Sequence, residues 1–132
     1  MIAVFRCVCI LAACAPALLV GGTGVAQAAV TDSYSAVRQV VCSETGARLD
    51  ISYTNAYGNT TSRSGVSLRG NPIGDGRTCI TLDSRSGEYG DVVGTTVSAD
   101  AGGYVYCAIF VDGRKVAESV DDSSYYSSAY CG

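Results

Sequence analysis

The chain has 132 residues with 7 cysteines, 9 tyrosines, 16 glycines and neither tryptophan nor histidine, which fits one ordinary domain and removes the commonest metal ligand and general base. A net charge of −3, with no run of Lys or Arg, argues against nucleic acid and against anionic membrane surfaces as partners. Hydrophobic residues make up 48% and charged residues 16%, so the chain has the means to fold around a core.

In chain order, the first element is a leader. Arg6 is the only charge before Asp32, an apolar run follows from Cys7 to Val20, and Ala26-Gln27-Ala28 supplies a small-x-small cleavage pattern. Together these predict a secretory signal helix over residues 1–28, cleaved after Ala28. A retained anchor is the alternative, although the run is short of the roughly 20 apolar residues a span needs. Leu11-Ala12-Ala13-Cys14 also resembles a bacterial lipobox that would lipidate Cys14, but the apolar run continues past it. Residues 29–36 are expected as a linker and 37–132 as the folded domain.

Without the leader and its Arg6, the net charge moves from −3 to −4 and four cysteines remain: Cys42, Cys79, Cys107 and Cys131. An even count in a small exported domain predicts two disulfides, with three pairings open. No C-x-x-C spacing accompanies them, which argues against zinc. Each bridge, closing a loop of about 25 to 38 residues, would add about 3 kcal/mol.

The rest of the chain reads as strands. Val37 to Cys42 is a short apolar run. Leu49, Ile51 and Tyr53 alternate with Asp50, Ser52 and Thr54, the pattern of a half-buried strand. A turn at Tyr57-Gly58-Asn59 leads into a Ser/Thr-rich strand from Thr60 to Leu68. Arg69 to Gly76, with Pro72 and three glycines, reads as a loop. Arg77 to Leu82 is a strand, Asp83 to Gly90 a polar loop, and Asp91 to Ala99 a β-branched strand. Asp100-Ala101-Gly102-Gly103 turns the chain into Tyr104–Val111. Asp112-Gly113 then joins that run to Arg114–Val120, and this dipeptide favours a two-residue type I′ hairpin because both central positions need positive φ. An unbroken register from that turn sets Ile109 against Val116, Cys107 against Glu118 and Val105 against Val120. It collects Val105, Cys107, Ile109, Val116 and Val120 largely on one core face. Tyr104, Tyr106 and Phe110 fall on the other. Tyr125 to Cys131 forms the last strand, where Cys131 is placed to meet Cys107 and leave Cys42 for Cys79, although spacing alone keeps the other pairings open. Seven to eight short strands with regular turns predict an all-β fold, an antiparallel immunoglobulin-like β-sandwich.

Several blocks carry a family likeness. Glu44-Thr45-Gly46, Asp50-Ile51-Ser52-Tyr53-Thr54-Asn55 and Gly58-Asn59-Thr60 resemble the early strands of the mycobacterial membrane protein small (MmpS) family, which reads V-x-Y-E-V-T-G followed by I-x-Y-x-x-x-x-G. Cys107-Ala108-Ile109-Phe110-Val111-Asp112-Gly113-Arg114-Lys115-Val116 with Glu118 resembles its C-x-I-x-V-D-G-x-x-V-x-E block, and Tyr130-Cys131-Gly132 its terminal cysteine segment. The likeness spans about Val37 to Cys131. It implies a small β-sandwich on the outer side of an actinobacterial membrane, serving as an accessory subunit of a resistance-nodulation-division lipid or siderophore exporter. The chain departs from the family at Leu68-Arg69-Gly70-Asn71-Pro72, where the family has L-P-W, in its cleavable-looking leader, and in the added pair Cys42 and Cys79.

Candidate chemistry favours binding. The carboxylates Asp83, Glu88, Asp91, Asp121 and Asp122 could form pairs, but two-carboxylate catalysis needs a defined separation across a cleft, and solvated loop acids are the plainer reading. Serines and threonines lack a base to activate them. No enzyme activity, cofactor or metal is therefore expected. Tyrosine is concentrated towards the C-terminus, and Tyr104, Tyr106, Phe110, Tyr125 and Tyr126, with Tyr130, are a candidate interaction face because tyrosine offers contact area at low entropic cost. Ordinary cross-strand pairing is the simpler explanation of the same residues. Three functions are carried forward: an exported accessory module, a secreted carrier of a small apolar ligand, and a secreted protease inhibitor presenting the loop from Arg69 to Arg77. Membrane contact is expected only where the leader is retained.

Overall fold

The computed structural model describes residues 29–132, and the signal helix, the lipobox at Cys14 and the retained anchor lie outside the described residues. Period-two alternation dominates here: β11 buries Ser127, Ala129 and Cys131 and exposes Ser128 and Tyr130, as a strand with one covered face must. Eleven strands form among the described residues, and no helix. In chain order they are β1 (Ala29–Val30), β2 (Ala36–Glu44), β3 (Leu49–Thr54), β4 (Thr60–Val66), β5 (Asn71–Gly74), β6 (Arg77–Arg85), β7 (Val92–Val93), β8 (Thr95–Ala99), β9 (Val105–Val111), β10 (Arg114–Asp121) and β11 (Ser127–Cys131).

The fold is the antiparallel β-sandwich that the alternation predicts. One sheet has five strands in the order β10-β9-β2-β6-β5, the other four in the order β11-β8-β3-β4, and β1 pairs β7 as a separate two-stranded ribbon. Between the sheets lie Val37, Val41, Val105 and Ile109 from one side and Leu49, Ile51, Val97, Ala99 and Ala129 from the other. Gln39 is 1% exposed inside this layer and ties the sheets together. Its Nε2 donates to the Thr54 carbonyl at 2.7 Å, and its Oε1 accepts from the Thr54 amide at 3.1 Å and from Thr95 Oγ1 at 2.8 Å. A buried amide so satisfied costs little and fixes how the sheets meet.

Both bridges form. Cys107–Cys131 joins β9 to β11 and so crosses from one sheet to the other, with Cα atoms 6.1 Å apart. Cys42–Cys79 links directly opposed residues of the neighbouring strands β2 and β6, with Cα atoms 4.1 Å apart.

Three strands exceed the expected seven or eight. β5 lies inside the Gly/Pro-rich stretch read as a loop: Asn71 and Pro72 pair with Cys79 and Thr78 at the sheet edge, a place where a proline's missing N–H costs nothing. Residues 29–36, read as a linker, are tied to the sandwich through β1, where Ala29 pairs with Val93 and is 7% exposed. β7 is cut from β8 at Gly94, which divides the predicted Asp91–Ala99 strand.

The Asp112-Gly113 turn is as expected, with φ of 50° and 80°. Asp112 does more than turn the chain: its Oδ1 accepts from the Ala36 amide at 2.9 Å, and its own amide donates to the Ala36 carbonyl, fastening the hairpin to the start of β2. Beyond the turn the expected register fails. Lys115 opposes Phe110 but Ala117 opposes Ile109, so Val116 is the extra residue of a β-bulge. The one-residue slip reverses the faces of β10 from Ala117 onward. Val105, Cys107 and Ile109 stay in the core, whereas Val116 and Val120 are 43% and 59% exposed.

Candidate functional site

The outer face of the five-stranded sheet carries the most structured surface. Cross-strand rows define it. One runs Val120, Tyr106, Cys42, Cys79, Asn71; the next Glu118, Ala108, Val40, Thr81; the third Lys115, Phe110, Arg38, Asp83. The first row is uncharged, Glu118 ends the second, and the third sets Phe110 among Lys115, Arg38 and Asp83. Ala108 is fully buried and Cys42 is 3% exposed although both point away from the core, so neighbouring side chains roof them.

Aromatic rings form much of that roof. Tyr104 and Tyr106 project from the same face, and their rings stack with centroids 6.5 Å apart and planes 4° from parallel. The Arg77 guanidinium lies 3.7 Å from the Tyr104 ring centre, a cation–π contact that anchors the end of the strip. Phe110 lies beyond, beside an open depression of about 720 Å³ shared with Val40, Arg38, Thr81 and Asp83.

The polar rim is built from two hydrogen-bonded ion pairs, Arg38 with Asp83 and Lys115 with Glu118. Arg38 grips Asp83 with two hydrogen bonds, Nε to Oδ1 at 2.7 Å and Nη2 to Oδ2 at 3.1 Å, and this holds the Asp83 carboxyl below its ordinary range. Glu118 Oε2 accepts from Lys115 Nζ at 2.6 Å and from the Tyr106 hydroxyl at 2.7 Å, and these two donors, lysine first, lower its pKa. Burial, and then the bond to Glu118, push the Tyr106 phenol up to about 12. Each shift fixes a group in the state it already has at neutral pH, carboxylates charged and phenol neutral. A general acid or base needs the opposite, a pKa drawn towards the working pH.

The remaining sequence candidates scatter. Tyr104, Tyr106 and Phe110 come together, but Tyr125 and Tyr126 do not join them. β11 belongs to the other sheet, and Tyr126 leads into a strand whose exposed residues, Ser128 and Tyr130, line the outer face of the four-stranded sheet. Val120, expected in the core, takes their place beside Tyr106 because of the bulge. Val40 and Ala108 were missed, Val40 because it follows Arg38 and Gln39 in a short mixed run and Ala108 because its run is apolar throughout; their opposition across β2 and β9 is what places them here. Asp121 is occupied in the connection to β11, accepting from the Ser123 hydroxyl and amide and from the Ser128 amide, which lowers its pKa. Asp91 accepts from the Gly87 amide. Among the described residues no three His, Cys, Asp or Glu side chains gather as a metal site, and no helix is long and apolar enough to cross a membrane.

The geometry also bears on the two other functions carried forward. The residues meeting between the sheets, Val41, Val97, Val105 and Ile109, are at most 1% exposed, and the depression beside Phe110 lies on the outer face. The stretch from Arg69 to Arg77 is a hairpin rather than a free loop, and Arg77 is laid on Tyr104.

No protein-family model matches this chain, and no curated protein matches it.

Proposed function

We propose that this chain is an exported, non-catalytic accessory module of the cell envelope that docks a partner protein on the outer face of its five-stranded sheet. The observation that carries the reading is the stacked strip of Tyr104 and Tyr106, continued by Phe110 and Val120 and closed by charges of both signs. An apolar aromatic centre with a polar rim is the composition of a protein interface, where rigid aromatic side chains carry most of the energy. Two disulfides suit an oxidising compartment, and the cleavable-looking leader agrees with export. The V-D-G block supports a resistance-nodulation-division type exporter as the partner.

A photo-cross-linking residue placed at Thr81, which is exposed at the edge of the depression, tests this in intact cells. It is expected to capture a large membrane transporter, while the same probe at Thr96 on the opposite sheet captures none. Absence of any membrane protein among the Thr81 adducts would remove the reading.

A further inference from the structure

A second set of exposed apolar side chains gathers at one end of the sandwich, away from the aromatic strip. Tyr57 and Tyr89 are 90% and 93% exposed, and Val30, Tyr34 and Val92 are each more than half exposed. They come from three segments that the backbone brings together. Val30 pairs with Val92, the Tyr34 amide donates to the Gly87 carbonyl at 3.1 Å, and Gly58, next to Tyr57, sits against the Asp91 carboxylate. The arrangement is held firmly. Tyr34 has φ of 55°, a region an aromatic residue seldom occupies, and Arg85 Nη1 fixes it by donating to its carbonyl at 2.6 Å. Gly90 packs so closely on the Thr31 carbonyl that any Cβ there would collide with it. A rigid frame thus presents three tyrosine rings that the core does not use.

The same end receives the chain from residues 1–28. Where the leader is retained, residues 21–28 join the apolar run Cys7–Val20 to Ala29 over a reach of at most about 28 Å. β2 and β6, nine residues each, put the opposite end about 30 Å further on. We propose that this end is a lipid-contacting surface, which rests Tyr34, Tyr57 and Tyr89 at the headgroup level of a bilayer. Tyrosine suits that depth because its ring enters the apolar boundary while its hydroxyl stays wet. Val30 and Val92 add apolar area between the rings. The charges nearby are Asp32, Glu88, Asp91 and Asp112 against Arg85 and Arg114, an acidic excess that selects zwitterionic over anionic lipid. Such lipid contact goes beyond the docking role and does not depend on it.

The absence of tryptophan makes the test direct, since each of Y57W, Y89W and Y125W installs a sole indole at a highly exposed position. The full chain is reconstituted with phosphatidylcholine vesicles whose acyl chains are brominated near the headgroup. Y57W and Y89W are expected to emit blue-shifted light and to be quenched several-fold more than Y125W, whose indole lies at the opposite end. Equal quenching at all three positions, or unshifted emission at 57 and 89, overturns the proposal. So does a blue shift at 57 and 89 that needs added membrane protein and escapes bromine, because a protein partner then covers this end.

Discussion

The outer faces of the two sheets are built on the same antiparallel scaffold and offer a partner opposite chemistry. On the five-stranded sheet, the rows through β9, β2 and β6 gather rings, methyl groups and a disulfide, with the Arg38–Asp83 and Lys115–Glu118 ion pairs beside them. On the four-stranded sheet, the matching rows run Tyr130, Thr96, Ser52, Ser62 and Ser128, Ser98, Asp50, so that Tyr130 is the one ring among hydroxyls and a carboxylate in these rows. There Ser52 and Ser62 hydrogen-bond each other at 2.7 Å. Hydroxyls gain little by leaving water, because each must replace the hydrogen bonds it loses. Aromatic and aliphatic groups gain in proportion to the area they bury. The contrast teaches that the shared fold does not define the site; the residues at every second position of three strands do.

The largest expected effect concerns the bridges that hold this arrangement. Loop entropy alone favours Cys42–Cys79, which spans 37 residues against 24 for Cys107–Cys131, by about 0.4 kcal/mol. The structure predicts the reverse order. Replacing Cys107 and Cys131 together by serine unties the two sheets and leaves hydroxyls at sites 0% and 2% exposed, with a stability loss of about 4 kcal/mol in urea denaturation. The same change at Cys42 and Cys79 is expected to cost less, about 2–3 kcal/mol, because nine residue pairs already join β2 to β6. Equal losses would mean that the bridges act only on the unfolded chain.

Next comes binding. Tyr106→Ser with Phe110→Ser should weaken partner capture at least about tenfold while circular dichroism stays unchanged. Ser52→Ala with Thr96→Ala should leave capture as it was. If the hydroxyl face proves the more sensitive, the assignment of the faces is reversed.

A smaller signature is the late titration of Tyr106. Ultraviolet titration of the folded protein should show one phenol ionising near pH 12, and Glu118→Gln should lower that value by removing the acceptor. The phenol's folded pKa is raised, so its contribution to stability is complete below its unfolded value near 10 and is lost as the pH climbs from about 10 to 12. A phenol that titrates with the others would place Tyr106 in water.

The smallest effect tests the bulge. Val120→Thr is expected to change stability by no more than about 0.5 kcal/mol, since Val120 faces outward, whereas Val105→Thr in the core should cost about 1–3 kcal/mol. Under the unbulged register both would be costly.

Much of this was legible in residue types whose meaning is local. Asp112-Gly113 could be assigned because positive φ at two successive positions is a demand few dipeptides meet. The alternation of Leu49, Ile51 and Tyr53 marked a half-buried strand for the same kind of reason. The aromatic face was half legible. Tyr104, Tyr106 and Phe110 share a face through period two within one strand, and the sequence contains that. Tyr125 and Tyr126 could be assigned to the same face only by knowing that β11 pairs with β9, and it pairs with β8. The bulge at Val116 leaves no mark in composition, since Lys115-Val116-Ala117-Glu118 suits either register. β1 escaped notice, and β7 was read as one strand with β8, because two-residue strands carry no periodicity of their own and these two exist only through each other.

The sequence by itself determined the class of fold, the hairpin and the four cysteines available for two bridges. These come from short-range geometry and from side-chain inventory. Only the tertiary structure decided which residues share a surface. Pairing between strands distant in the chain sets which side chains become neighbours, and a single inserted residue at Val116 was enough to exchange core for surface along the rest of β10.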